Sequence, residues 1–268
     1  MKGGGLRAYA VLYLVFLYGP ILLLPLFAFN AGTIVAFPLK GFTTEWFVQM
    51  SQNATLRRAF ANSLTIAVSA SVLATCLGVF AARATTRYDF PGKAGAMGLI
   101  MLPLVLPEII VAMSLLVVLL AVGVKLSILT VILGHTLICM PYAIAILSTA
   151  FNSLDTSLEE AAQDLGETKW SAFRLVILPL VMPGIVSALL MSFTISLDEF
   201  IIAFFLAGNE PTLPTYIFSQ LRFPKSVPVI MALGTVLVAL SILLLTVAEY
   251  FRRRGVARTG RKDAGGFL

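Results

Sequence analysis

Charge is what this sequence has least of. Asp, Glu, Lys and Arg make up 12% of its 268 residues, against about 25% in soluble domains. A water-facing surface over most of the chain is excluded. Cysteine is nearly absent too: Cys76 and Cys139 both fall inside apolar runs, so neither a disulfide framework nor a metal site is indicated. No G-x-x-x-x-G-K-[ST] stretch occurs, so the chain supplies no phosphate-binding loop of its own. The one histidine, His135, lies in an apolar run with no nucleophile paired to it by spacing, and a hydrogen-bonded helix contact is its ordinary role. No catalytic residue is indicated.

What the chain has instead is apolar length, with 59% of its residues hydrophobic. A helix crossing the hydrocarbon core needs about 20 such residues at 1.5 Å rise each. Six runs meet that length, at about 7–30, 59–82, 96–123, 127–150, 181–207 and 227–250. Prolines 20, 25, 103, 107 and 141 fall inside them and suggest kinks, which membrane helices tolerate where neighbours satisfy the freed backbone groups. The first run follows Lys2 and Arg7 as a signal peptide would. It is longer than the 7–15 residues of a cleavable core, so an uncleaved first span is expected.

Orientation follows from the basic residues. Six spans put 13 Lys and Arg on the side of both termini and 6 on the other, which makes the termini cytoplasmic by the positive-inside rule. The terminal stretch RRRGVARTGRK then reads as a topological anchor beside anionic lipid, and not as a nucleic-acid site.

The sizeable cytoplasmic connection lies at about 153–180. Ser157 and Glu160 have the S-x-x-E spacing of a capping box. Leu158, Ala161, Ala162 and Leu165 follow at i, i+3, i+4 and i+7, and Gly166 stands where a helix ends. Thr168 is placed to cap a second short helix carrying Trp170, Phe173 and Ile177 on one face and ended by Pro179. Either a lipid-surface helix pair or a protein dock fits this pattern. Five carboxylates against Lys169 and Arg174 favour the protein partner, because anionic lipid would repel them.

Carboxylates also occur inside the apolar runs. The stretch SFTISLDEFIIAFFLAG, residues 192–208, carries Asp198 and Glu199, and the third run carries Glu108 beside Pro107. Charges at such depth cost a few kcal/mol on insertion scales, so they face a bundle interior or a wet cavity and mark a pathway. On a regular helix adjacent residues point about 100° apart, so Asp198 and Glu199 cannot both face one cavity squarely. Asp198 is expected to face the pathway with Glu108 as its companion, Ser196 lies nearby, and the orientation of Glu199 is left open. Trp46, between the first two runs, is either a cation–π contact for a ligand or an interfacial anchor.

Glu160-Ala161-Ala162, a glycine at 166 and Ile177-Leu178-Pro179 resemble the E-A-A loop of permease subunits in ATP-binding-cassette importers. LPEIIVAMSLLVVL, Leu197-Asp198-Glu199 and LPTYIFSQLRFPKSVPVIMALGTVL narrow the resemblance to the spermidine/putrescine permeases. It departs in one respect: those relatives often have Asp-Asp at 198–199 and Asp at 108. The resemblance implies an all-α polytopic membrane protein of the type I importer fold, forming one permease domain with six spans. It implies that Glu160, Ala161, Ala162, Asp164 and Gly166 dock into a separate ATPase, which binds the ATP and Mg; this chain holds no cofactor. It further implies a second permease subunit, two ATPase subunits, a periplasmic substrate-binding protein and a place in the bacterial inner membrane. Separated carboxylates suit a cation whose amines are spaced along an apolar chain and penalise anions. Polyamines are therefore the expected substrate, with opines, amino acids and other amines as alternatives. A proton-coupled carrier, using the same acids as a relay, is the rival of another class, and the docking loop argues against it.

Overall fold

The computed structural model describes residues 4–259; the side chains of the basic terminal stretch, and residues 260–268, lie outside what is described. Secondary structure is helical, and among the described residues backbone pairing outside helices amounts to one isolated bridge, Asn30 with Phe42. The chain divides into two compact units, Met1–Ala54 with Ile217–Leu268, and Thr55–Tyr216.

In the first unit α1 (Gly4–Ala28) runs along α12 (Val227–Thr259), and α2 (Glu45–Gln52) also packs on α12. Gly234 allows close approach, since a Cβ there would meet the Leu24 side chain at 3.3 Å. Ala28, Trp46, Val229 and Ala232 form this unit's buried cluster.

The second unit begins with α3 (Ala54–Arg87), which alternates buried small residues such as Ala59, Ala67, Ala70, Ala74 and Gly78 along one side. The third apolar run is not a single helix. It forms α4 (Lys93–Val105) and α5 (Glu108–Ala121), bent by 111° at Leu106 and Pro107. The proline explains the break: the residue before it is pushed out of the helical region, and Leu106 is extended with ψ 143. At 13 and 14 residues each half is about 20 Å long, too short to span alone, and Glu108 sits at the bend as the first residue of α5.

α6 (Ile128–Asn152) follows, then α7 (Ser157–Asp164) and α8 (Lys169–Ala172). α8 does not stop at Pro179. A single π turn, Phe173–Ile177, joins it to α9 (Leu178–Asp198), giving 30 helical residues from Lys169 to Asp198. Leu178 N–H reaches back to Phe173 O, and this wider turn lets the helix pass Pro179, which has no N–H to donate. The fifth run also breaks where continuity was expected. α9 ends at Asp198, Glu199 is extended with ψ 120, and α10 (Ile201–Leu206) starts afresh. α11 (Leu213–Gln220) then leads to the first unit through a short 3₁₀ turn, Pro224–Ser226.

α6 and α9 form the principal helix pair of this unit. Small residues govern their spacing, as is usual where lipid removes the hydrophobic drive between helices: a Cβ on Gly184 would lie 2.5 Å from the Ala150 Cβ. Overpacking of this kind costs about 1–3 kcal/mol. Gly184→Ala should therefore lower the thermal unfolding temperature in detergent, whereas Gly98→Ala, where an added Cβ meets nothing within 4 Å, should not.

Candidate functional site

The membrane carboxylates gather at helix breaks. α5 and α10 pack against each other, and each begins at a break, with Glu108 the first residue of α5 and Glu199 two residues before α10. Helix N-termini favour anions, which offsets part of the cost of placing carboxylates here. Glu199 is 8% exposed, and its Oε1 accepts from Ile202 N–H at 3.0 Å, so it starts α10 by satisfying one of that helix's free donors. The other end of α10 is held by Thr130 of α6, whose hydroxyl donates to Leu206 O at 2.8 Å.

A helix end separates Asp198 from Glu199, so helical periodicity does not govern the pair, and Glu199 is buried. Asp198 is exposed on this chain and Glu108 is exposed as well. Glu108 and Glu199, the member of the pair whose orientation had been open, thus stand at the starts of two helices, α5 and α10, that pack on each other.

Ser196 is 3% exposed, and its Oγ lies 2.7 Å from Nδ1 of His135, itself 2% exposed. This buried bond ties α9 to α6 beside the carboxylates. A second tie is Cys139 Sγ to Ser192 O at 3.4 Å. Nε2 of His135 and Oγ of Ser192 have no partner among the described residues. The sequence had separated His135 from Ser196 by 61 positions, and only the α6–α9 pairing joins them.

Trp46, in the first unit, is 8% exposed. Its indole N–H donates to Asn30 O at 2.8 Å, and Asn30 Oδ1 in turn accepts from Lys40 N–H at 2.9 Å. The ring therefore packs inside the unit and fixes the segment after α1, in place of presenting a free face as a cation–π contact or interfacial anchor would.

The loop around α7 is built differently from its sequence pattern at one end. Ser157 is the first helical residue, and no capping box forms: Asp155 Oδ1 accepts from Ser157 N–H at 3.0 Å. Hydrogen bonding to Ser157 holds the Asp155 carboxyl below its ordinary range. The other end has both bonds of a Schellman motif, Glu167 N–H to Ala162 O and Gly166 N–H to Gln163 O. Gly166 has φ +92, in the region where a side chain costs about 1–2 kcal/mol. Thr168 caps α8, accepting from Ser171 N–H at 3.2 Å.

α7 buries Ala162 and leaves Glu160, Ala161, Asp164 and Gly166 exposed. Leu165 is 87% exposed and Trp170 64%.

Residues 74–258 match the family described as binding-protein-dependent transport system inner membrane component. The chain is 35% identical over 249 residues to the spermidine/putrescine transport system permease protein PotC of Haemophilus influenzae, covering 92% of this chain and 96% of that one. It is also 35% identical over 247 residues to the putrescine transport system permease protein PotI of Escherichia coli, covering 89% and 87%. A bacterial ABC transporter involved in the import of the acidic polysaccharide alginate shares the fold, with TM-score 0.74 at 17% identity over 92% of this chain and 96% of that one. The chain belongs to the family of inner-membrane permease components of binding-protein-dependent transport systems. It is a multi-pass membrane protein with the ABC importer permease fold.

Proposed function

We propose that this chain is the permease subunit of an ATP-driven importer of polyamines such as putrescine and spermidine. The observation that carries the reading is the likeness, along nearly the whole chain, to permeases named for those substrates. The chemistry of the site supports it. Glu108 and Glu199 stand at the starts of two packed helices, with Asp198 exposed one residue before Glu199, and a chain carrying spaced ammonium groups would be attracted to such separated carboxylates. Asp198, Glu108 and Glu199 are assigned to the substrate pathway. Ser196 supports them through His135, and Trp46 holds the segment after α1 in place.

In this reading both termini are cytoplasmic, so α7 faces the cytoplasm, where Glu160, Ala161, Ala162, Asp164 and Gly166 form the dock for an ATPase subunit. Two ATPases supply ATP and Mg, a second permease completes the pathway, and a periplasmic binding protein delivers substrate. ATP binding draws the docks together and turns the carboxylates from an outward to an inward opening.

The assembled complex, reconstituted with its binding protein, should hydrolyse ATP faster when putrescine or spermidine is added. Stimulation by an opine or an amino acid, with none by either polyamine, would overturn the substrate assignment while leaving the importer class intact.

A further inference from the structure

α3 ends in two arginines one helical turn apart, and both reach across to the docking loop. Nη2 of Arg83 donates to Glu159 Oε1, and the same guanidinium lies over the Phe173 ring, 4.4 Å from its centroid. Arg87 Nη2 donates to Phe151 O at 3.1 Å and Leu154 O at 3.0 Å, which ties the end of α3 to the end of α6 and the residues just after it. The Arg83 and Glu159 side chains are only 11% and 12% exposed, so their attraction is little screened by water.

α7 therefore has two faces. Glu160, Ala161 and Asp164 look outward, while Glu159 and Ala162 look inward. Phe173 begins the π turn that leads into α9, the helix ending at Asp198. A displacement of α7 must then act on Arg83, and through it on α3 and on the base of α9. Nη1 of Arg83 is buried with no acceptor among the described residues, which leaves a donor for a second arrangement of the loop.

We propose that Arg83 is the positioning residue that transmits movement of α7 into α3 and α9, with Glu159 and Phe173 as its partners. This rests on the reading of α7 as an ATPase dock. Arg83 stays off the docking face itself, so its loss should separate hydrolysis from transport without releasing the ATPase. A lysine would keep the charge and lose the planar stacking on Phe173.

The test uses the full reconstituted complex with its binding protein and putrescine, and reads ATPase subunits retained on purification, hydrolysis, and uptake per ATP. Arg83→Ala and Glu159→Gln should both retain the ATPase and lower uptake per ATP at least tenfold. Arg83→Lys should fall between them and wild type, and the exchanged pair R83E/E159R should recover at least threefold over either single variant. Uptake per ATP within twofold of wild type in both single variants would overturn the proposal. So would loss of the ATPase subunits, which would make the pair an assembly contact, or an exchanged pair no better than the singles. If Arg83→Ala fails to insert, the near-isosteric Glu159→Gln decides alone. A wild-type complex in which putrescine stimulates nothing would instead refute the proposed function.

Discussion

Glu199→Gln should lower polyamine uptake about 30- to 4,000-fold while leaving the permease folded. The two halves of this expectation have separate causes. Glu199 accepts the Ile202 N–H, and a glutamine carbonyl can do the same, so the start of α10 survives. What disappears is the charge. A truncated charge pair in a desolvated site costs about 2–5 kcal/mol, and each 1.4 kcal/mol is tenfold. Glu199→Ala removes charge and cap together, and capping bonds are worth about 0.5–2 kcal/mol. The alanine variant should therefore also unfold at lower temperature in detergent, and the glutamine variant should not. Glu108→Gln should resemble Glu199→Gln in uptake, since both acids stand at the starts of the packed helices α5 and α10. Because the acids act on one ligand, the double variant should fall short of the product of the two single losses. Full multiplication of the two effects, or unchanged uptake in either single variant, would remove this pair from the pathway.

Gly166→Val should abolish transport at the opposite end of the mechanism. Gly166 has φ +92, a conformation open to glycine and strained for a β-branched side chain. Valine there must either bear that strain or unwind the Schellman bonds to Ala162 and Gln163. Unwinding would turn Leu165, 87% exposed, and the acids of α7 away from the ATPase. The expected outcome is a complex that loses its ATPase subunits on purification, with no polyamine-stimulated hydrolysis, while the separate binding protein still captures polyamine. Gly166→Asn, which tolerates positive φ better, should retain an intermediate fraction of activity. Normal transport in Gly166→Val would contradict the docking role of the loop.

These two predictions draw unequally on the sequence. The loop around α7 was legible because its signals are local: a glycine at a helix end and Thr168 ahead of a short helix need only neighbours in the chain. The error there was also local, since Asp155 displaced the Ser157–Glu160 capping box by reaching the same donor from two residues away. Apolar length identified the membrane helices, whereas the breaks within them were harder to see. Pro107 signalled a kink and not a bend of 111°. Nothing in SLDEFII signalled a helix end, because the cap of α10 is the very carboxylate that breaks the apolar run. Pro179 suggested a stop and was absorbed by a π turn. Partners distant in sequence were not legible at all: His135 with Ser196, Arg83 with Glu159, and Glu108 with Glu199 depend on which helices pack.

In the proposed function, membrane carboxylates and a docking loop in one chain serve ATP-driven uptake of a polyamine. Accumulation of labelled putrescine in proteoliposomes holding the complete complex, with binding protein on the outer face and ATP on the nucleotide-binding face, tests it most directly. Uptake should require both ATP and the binding protein and should be indifferent to a collapsed proton gradient. Uptake that persists without ATP while a proton gradient is held would contradict the account.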